Sequence, residues 1–168
     1  MMPRRYLLAL SVWVLVSPFP PFARAGSSSA HVRAIRADGT LELANGDTIR
    51  LGGLRLTSEA VHFLSPLLAG KEIELEYDPL WGVPSGPPVP KPAYVFVKTQ
   101  ELDFPFSPRA SPRQKSVMVN QLLLGMGVAR VDKSLRFKRR DEFFKIEAEA
   151  RQKGEGLWSY EHPLDKAV

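Results

Sequence analysis

Four charged side chains in the N-terminal half of the sequence could do chemistry together: Asp38, Asp47, Arg50 and Glu59. Carboxylate oxygens are the ligands that calcium prefers in proteins. A fixed cation stabilises the negative charge that develops on a reacting phosphate group. A set of this kind could hold a metal ion and an anionic group, provided that its members converge in the folded chain.

Residues for other chemistries are missing or scattered. The chain contains no cysteine, which excludes disulfides and thiolate metal sites. The three histidines, His31, His62 and His162, are not spaced like metal ligands. The sequence also lacks a nucleotide-binding loop, a nucleophile elbow and a zinc signature. The carboxylates and arginines are therefore the main candidates for a site.

A basic run over residues 133–140 is the second feature with functional potential. Lys138, Arg139 and Arg140 in this run could contact a phosphate backbone or another anionic surface. The alternative, which we favour, is a solvated loop and helix start, because flanking acids weaken the local field.

Two proline-rich segments carry aromatic side chains. Residues 78–92 contain six prolines and two glycines, with Trp81 among them. Residues 103–113 contain three prolines, with Phe104 and Phe106 beside them. Aromatic side chains on such loops suit a ligand or partner surface, but they could equally fold back onto the core. Both alternatives stay open at this point.

The elements that position these side chains follow from the periodicity of apolar residues. Alternation and turn residues predict strands over 31–37, 40–43, 48–51, 71–77 and 93–97. An apolar stripe at helical spacing predicts a helix over 58–69, capped by Thr57 or Ser58 and ended by Gly70. Two further helices are predicted over 116–126 and 138–153.

The first 25 residues have the features of a cleaved secretory signal. Arg4 and Arg5 precede an apolar run, and Ala23, Arg24 and Ala25 form a small-residue cleavage site. An uncleaved anchor is less favoured, because a span needs about 20 apolar residues and three prolines interrupt this run early. Cleavage lowers the formal charge from +5 to +2, since three arginines and no acid are removed.

We therefore expect an exported protein, periplasmic or extracellular, with no transmembrane span after cleavage. The predicted division is a signal over 1–25, a linker over 26–30, one domain over 31–160 and a tail over 161–168. The length allows one ordinary hydrophobic core rather than two.

The C-terminal third contains the motifs of a known family. Residues 119–131 fit the pattern VN-x-x-L-x-x-x-G-x-A-x-V, and residues 147–158 contain Glu-Ala-x-Ala and end on Gly-Leu-Trp. These motifs resemble the thermonuclease-like (staphylococcal nuclease-like) domain family. The resemblance implies an α+β, mainly β fold: a five-stranded antiparallel OB-type barrel over 31–97 with one inserted helix, and two C-terminal helices. Trp158 is expected to be a buried structural latch.

The resemblance also implies a calcium site made by two aspartates, one in a D-G-D-T turn and one in an R-L-x-G-x-D-T-P-E segment. When Thr40 is aligned with the threonine of the turn, the first ligand position falls on Gly39, and Asp38 lies one residue early. The second position falls on Arg55, or on Leu56 if one residue is inserted.

This sequence keeps some of the other residues of the family site. Arg50 takes the place of the arginine of the second segment. Glu59 takes the place of its glutamate, or is merely the acid that favours the start of the helix; both interpretations stay open. A second family arginine, in a Y-G-R-x-L-A-Y segment, aligns with Pro90. The adjacent Lys91 could supply charge for an anion but not a two-pronged clamp.

We favour a non-catalytic binding or scaffold module without a cofactor, because neither a cation nor an aliphatic side chain can coordinate calcium. Its partner would be a protein or an envelope component, contacted through residues 78–92 and 103–113, with nucleic acid as a further candidate. The alternative is a calcium- or other-metal-dependent nuclease whose site is rebuilt from Asp38, Asp47, Arg50 and Glu59.

Overall fold

The structure, a computed structural model, describes residues 27–81, 89–98 and 116–160. Its elements in chain order are β1 (Ser27–Ile35), β2 (Leu41–Leu43), β3 (Thr48–Leu51), β4 (Leu54–Leu56), α1 (Ser58–Leu68), β5 (Glu72–Glu76), β6 (Lys91–Lys98), β7 (Ser116–Met118), α2 (Val119–Gly125), β8 (Ala129–Val131) and α3 (Arg140–Lys153). Two short 3-10 helices, Pro79–Trp81 and Gly156–Ser159, complete the described structure. The predicted α+β fold is confirmed.

Five strands close into a barrel, as predicted. β1 pairs with β2 and β5, β2 pairs with β3, and β5 pairs with β6, all in antiparallel fashion. The ring is closed by β3 and β6, which run parallel with Ile49 opposite Lys91 and Leu51 opposite Ala93. The prediction of a wholly antiparallel barrel is wrong, because strand direction cannot alternate all the way around a ring with an odd number of strands.

The barrel interior is filled by alternate positions of its strands, as the period of two requires. At these alternate positions of β3, β5 and β6, the buried side chains are Ile49, Leu51, Ile73, Leu75, Ala93, Val95 and Val97. Helix α1 adds Leu64 and Leu68 to the same core. Its N-cap is Thr57, whose hydroxyl oxygen accepts the N–H of Ala60 at 3.1 Å. Of the two predicted caps, the structure therefore selects the first.

Several predicted boundaries need correction. β1 begins at Ser27 and pairs with β5 from there, so the residues predicted as a linker over 26–30 belong largely to the barrel. The helix predicted over 116–126 begins only at Val119, because Ser116–Met118 form β7 against β6. The loop predicted over 78–92 ends earlier, since β6 starts at Lys91. The pair β4–β8 was not predicted, because strands of three residues leave too little alternation.

Asn120 fastens α2 to the barrel. Its side chain is fully buried, and its Oδ1 accepts the N–H of Val95 at 2.9 Å. Its Nδ2 donates to the carbonyl oxygens of Gly52 at 3.0 Å and Ala93 at 3.3 Å. One amide therefore satisfies backbone groups of β6 and of the turn between β3 and β4, which are otherwise far apart in sequence. Leaving such groups unpaired inside a protein is costly.

A buried carboxylate makes a second junction. Asp78 is only 5% exposed, and its Oδ2 accepts the hydroxyl of Tyr94 at 2.5 Å and the N–H of Lys138 at 2.6 Å. Its Oδ1 accepts the N–H of Leu80 at 2.9 Å. Burial, together with this neighbouring carboxylate, raises the pKa of Tyr94, so its hydroxyl remains a donor. The junction holds the end of β5, the middle of β6 and the approach to α3 together.

Trp158 is fully buried, which confirms the predicted latch. The guanidinium carbons of Arg130 and Arg151 lie 4.5 Å and 4.2 Å from the centre of its ring. The segment is held in place by the N–H of Leu157, which donates to the carbonyl of Gly127 at 2.9 Å. The latch thus closes over the turn that follows α2.

The predicted signal over 1–25 and the predicted tail over 161–168 lie outside the described residues. So does the second proline-rich loop, over 103–113. Among the helices that the structure describes, none combines the length and the apolar character that a membrane span requires.

Replacing Asn120 by alanine should lower the free energy of unfolding by about 2–3 kcal/mol, because the N–H of Val95 and the carbonyl of Gly52 lose the hydrogen bonds that the Asn120 side chain makes with them. Chemical denaturation followed by circular dichroism measures this. The neighbouring Gln121→Ala is the control: its side chain donates to the exposed Glu142, so a change within about 0.5 kcal/mol is expected. Equal losses in both variants would contradict the role of Asn120.

Candidate functional site

The turn between β1 and β2 contains the first ligand position that the resemblance implies, Gly39. The turn is closed by the N–H of Gly39, which donates to the carbonyl of Arg36 at 2.9 Å. The Oδ1 of Asp38 accepts the N–H of Thr40 at 2.9 Å, and this hydrogen bond lowers the pKa of Asp38. The carboxylate of Asp38 is thus engaged in shaping its own turn. Gly39 itself is buried and has a φ of +81°.

The side chain of Leu56 lies directly against Gly39. A Cβ placed on Gly39 would be 2.5 Å from Cδ1 of Leu56 and 3.5 Å from Cγ2 of Val61 on α1. Two positions that hold one metal ion must face each other across a short distance. Leu56 meets this condition with respect to Gly39, so the geometry favours Leu56 over Arg55 as the counterpart of the second family aspartate.

The side chain of Arg55 does not face Gly39. It lies in β4 opposite Arg130 of β8, and its side chain is 68% exposed. Its Nε is 3.4 Å from Oδ1 of Asp132. Burial by itself would raise the pKa of Asp132, but hydrogen bonds from Ser134 and the nearby Arg55 guanidinium lower it overall. Arg55 therefore belongs to an ion pair on the outer face of the β4–β8 ladder.

The two site residues that the family resemblance retains, Arg50 and Glu59, lie on different elements. Arg50 is exposed in β3, opposite Pro92 of β6. Glu59 is exposed in the first turn of α1. Among the described residues, no hydrogen bond or ion pair connects either side chain with Asp38. The position of Glu59 fits the helix-start interpretation, in which a carboxylate faces the positive end of the helix dipole.

Asp47 lies in the hairpin between β2 and β3, as the Asn-Gly pattern predicts. Its N–H donates to Oδ1 of Asn45 at 3.0 Å, and its Oδ2 accepts from Nδ2 of the same residue at 3.1 Å. Lys91 lies 3.9 Å from Oδ1 of Asp47, and both side chains are about half exposed. Pro90, where the second family arginine would be, is half-buried just before β6.

Two of the three predicted anion contacts in the basic run interact with the protein itself. Arg139 contacts both carboxylate oxygens of Glu76 at 3.3 Å and 3.4 Å and lies over the ring of Tyr94. Arg140 donates to the carbonyl of Lys133 at 3.4 Å. Lys138 is exposed, while its backbone N–H bonds Asp78. The assignment of these cations to an anionic ligand stays a prediction, with Lys138 the most accessible of the three.

Trp81 folds back onto the core, which is one of the two alternatives that the sequence leaves open. Its ring centre lies 4.8 Å from that of Tyr94 and 6.3 Å from that of Phe137. It also covers Gly52, where a Cβ would overlap the indole. The exposed apolar side chains beside this loop are instead Leu80 and Val89. Phe104 and Phe106 lie outside the described residues.

The residues at the implied metal position do not fit calcium. Calcium is bound by six to eight oxygen ligands, several of them carboxylates. Gly39 and Leu56 supply no side-chain oxygen, and the acids nearest in sequence, Asp38 and Asp47, are engaged in their own turns. Within 27–81, 89–98 and 116–160, no three histidine, aspartate or glutamate side chains form a group that could hold a metal ion.

The closed barrel with its parallel β3–β6 pair and packed helices defines an OB-type barrel of the kind implied by the resemblance. Residues 93–160 match the family model described as staphylococcal nuclease homologue. No curated protein matches the chain. The match over residues 93–160 supports a thermonuclease-like domain.

Gly39→Ala should destabilise the protein more than Gly46→Ala does. Both glycines have a positive φ, +81° and +87°, so both variants incur backbone strain of about 1 kcal/mol. Only Gly39 faces a neighbour, because nothing lies within 4 Å of a Cβ placed on Gly46. Thermal or chemical unfolding should therefore show a larger loss for Gly39→Ala, by about 1–3 kcal/mol from overpacking.

Adding Leu56→Ala tests whether the extra loss of stability in Gly39→Ala comes from the contact with Leu56. The combined Gly39→Ala/Leu56→Ala variant should be less destabilised than the sum of the two single variants, since the added methyl then has room. Strict additivity, or equal costs at Gly39 and Gly46, would show that Leu56 does not occupy the space beside Gly39.

Proposed function

We propose that this chain is a non-catalytic thermonuclease-like domain that serves as a binding or scaffold module. The observation that carries the proposal is the contact between Gly39 and Leu56. At the place where two family aspartates would share a calcium ion, an aliphatic side chain packs against a glycine. Aliphatic groups offer no ligand to a hard cation, and the space beside Gly39 is filled by carbon.

The residues at the other positions of the family site support the same proposal. In the alternative register, the second ligand position is Arg55, a cation that would repel a metal ion. Pro90 stands where the family has its second arginine, so Arg50 would have no second arginine beside it to bind a phosphate group. Loss of one well-placed charge-stabilising group typically lowers a rate by about 100- to 1000-fold. The changes at these positions together leave little of the ordinary chemistry.

The alternative of a rebuilt nuclease site gains no support from the described contacts. It requires Asp38, Asp47, Arg50 and Glu59 to converge on one ion or one phosphate. The carboxylates of Asp38 and Asp47 instead accept hydrogen bonds within their own turns, at opposite ends of β2. Glu59 lies at the start of α1.

A protein or an envelope component is the partner that we propose for the surface beside the first proline-rich loop. Leu80 and Val89, which precede and follow residues 82–88, are 62% and 55% exposed. Exposed apolar patches are typical of contact surfaces. The junction of Asp78 and Tyr94 beneath them would hold such a surface in place. Export of the chain is proposed from the N-terminal pattern alone.

The purified protein should show no calcium-dependent cleavage of single-stranded or double-stranded DNA, or of RNA, at neutral pH. Gel assays with and without calcium measure this. A restored variant, Gly39→Asp with Leu56→Asp and Pro90→Arg, should gain calcium-stimulated cleavage if the barrel otherwise preserves the family geometry. The matched control carries Arg55→Asp in place of Leu56→Asp and should remain inactive, because Arg55 points away from Gly39.

Calcium-stimulated cleavage by the unaltered protein that disappears in Arg50→Ala would contradict the proposal. It would mean that other side chains supply the ligands and that the nuclease alternative is correct. Activity in the control variant but not in the Leu56→Asp variant would show that the assigned register is wrong.

A further inference from the structure

The junction between the predicted signal and the barrel contains almost no spacer. The small-residue cleavage site places the scissile bond between Ala25 and Gly26. The first strand of the barrel begins at Ser27, whose pairing partner in β5 is Glu76. Gly26 is therefore the one residue between the predicted cut and β1. A cut at this bond would remove the whole predicted signal and leave every residue of β1 in the protein.

The first half of β1 is a paired part of the barrel wall. Each residue from Ser27 to His31 pairs with a residue of β5, in a register that ends with His31 opposite Glu72. The strand continues into Val32, which is 1% exposed and pairs with β2. The N–H of Val32 also donates to the carbonyl of Lys71 at 3.0 Å. Withdrawing the start of β1 would therefore break backbone pairing that leads directly into the core.

A protease that cuts the bond between Ala25 and Gly26 has to hold the chain on both sides of it. As the C–N bond breaks, the hydroxyl of a water molecule joins the carbonyl carbon of Ala25, and the remaining hydrogen joins the nitrogen of Gly26. Proteolysis concentrates where the backbone is exposed and unpaired. In the folded protein, Ser27 already pairs with β5. The folded barrel and the protease would therefore compete for the same stretch of backbone.

The strand that pairs with the start of β1 comes late in the sequence. β2, β3, β4 and α1 all lie between β1 and β5. A pairing between segments that are distant in sequence forms slowly, because the loop between them has to close first. Until β5 has formed, the residues after Gly26 have no partner on that side. The order of the elements thus leaves a period in which a protease can reach the bond.

We infer that signal peptidase cuts between Ala25 and Gly26 before β1 pairs with β5, and that the folded barrel resists this cut. The inference rests on the proposed export, which brings the chain to such a protease. A chain that folds first would keep its signal, because its cleavage site would lie against the barrel. Signal removal and closure of the barrel are therefore successive steps in a fixed order.

Cleavage of purified full-length chains by signal peptidase in detergent micelles tests the inference. The folded, unaltered protein should be cut slowly. A flexible Gly/Ser linker of about ten residues, inserted between Gly26 and Ser27, should raise the rate about tenfold or more, because the bond is then clear of the barrel. The matched control carries the same linker between Tyr160 and Glu161 and should be cut as slowly as the unaltered protein. Mass spectrometry identifies the product that begins at Gly26.

An unfolded full-length chain gives the rate of cutting without the barrel. Val32→Asp/Leu75→Asp introduces carboxylates at two positions that are each 1% exposed, one in β1 and one in β5. Burying two unpaired charges is costly, so the barrel should not form. This variant should be cut at least as fast as the variant with the linker after Gly26. Circular dichroism should show that it is unfolded and that both linker variants are folded.

Equally fast cutting of the folded, unaltered protein and of the unfolded variant would overturn the inference. A linker after Gly26 that raises the rate no more than the control linker does would also overturn it. An unfolded variant that is not cut after Ala25 would reject the predicted signal, and with it both the proposed export and this inference. None of these outcomes bears on the non-catalytic assignment, which the nucleic-acid cleavage assays test separately.

Discussion

The buried amide of Asn120 is the interaction on which the arrangement of the domain depends most. It bonds the N–H of Val95 and the carbonyls of Ala93 and Gly52, and so connects α2 with β6 and with the turn that leads from β3 into β4. The direction of β4 depends on that turn, and β4 places Leu56 beside Gly39. The C-terminal helices and the N-terminal ligand positions are thus linked by one side chain. A domain can keep this framework while the residues of its site change.

The Gly39–Leu56 contact shows how such a change can be accommodated. In a calcium-binding arrangement, the turn and β4 would be joined through carboxylates and an ion, whereas here they are joined by direct apolar packing. Burial of an aliphatic side chain contributes stability that does not depend on calcium. This packing requires no metal ion, and the fold alone says little about activity, because function depends on the residues of the site.

Sequence patterns predict the long and regular parts of this structure well. The strand around Ile73, the helix that begins after Thr57 and the latch of Trp158 each follow from alternation, capping or family motifs. The short β4 and β8 could not be predicted, because three residues show no reliable period. The parallel pairing of β3 and β6 follows from the odd number of strands in the closed barrel. The alternation within each strand, from which the strands are predicted, does not indicate it.

The candidate site was less predictable for a physical reason. The choice between Arg55 and Leu56 depends on which side chain faces Gly39, and a shift of one residue along a strand reverses that facing. For Trp81 the sequence allows both an exposed and a buried environment, and the structure shows that its ring covers Gly52. The opposition of Arg55 and Arg130 could not be anticipated at all, because it requires the pairing of two unpredicted strands.

Direct calcium titration by isothermal calorimetry tests the central claim most closely, since it depends on neither substrate nor turnover. The claim predicts no calcium binding by the unaltered protein and measurable binding after Gly39→Asp and Leu56→Asp are introduced together. Saturable, single-site binding of calcium by the unaltered protein, lost in Asp38→Asn or Glu59→Gln, would contradict it.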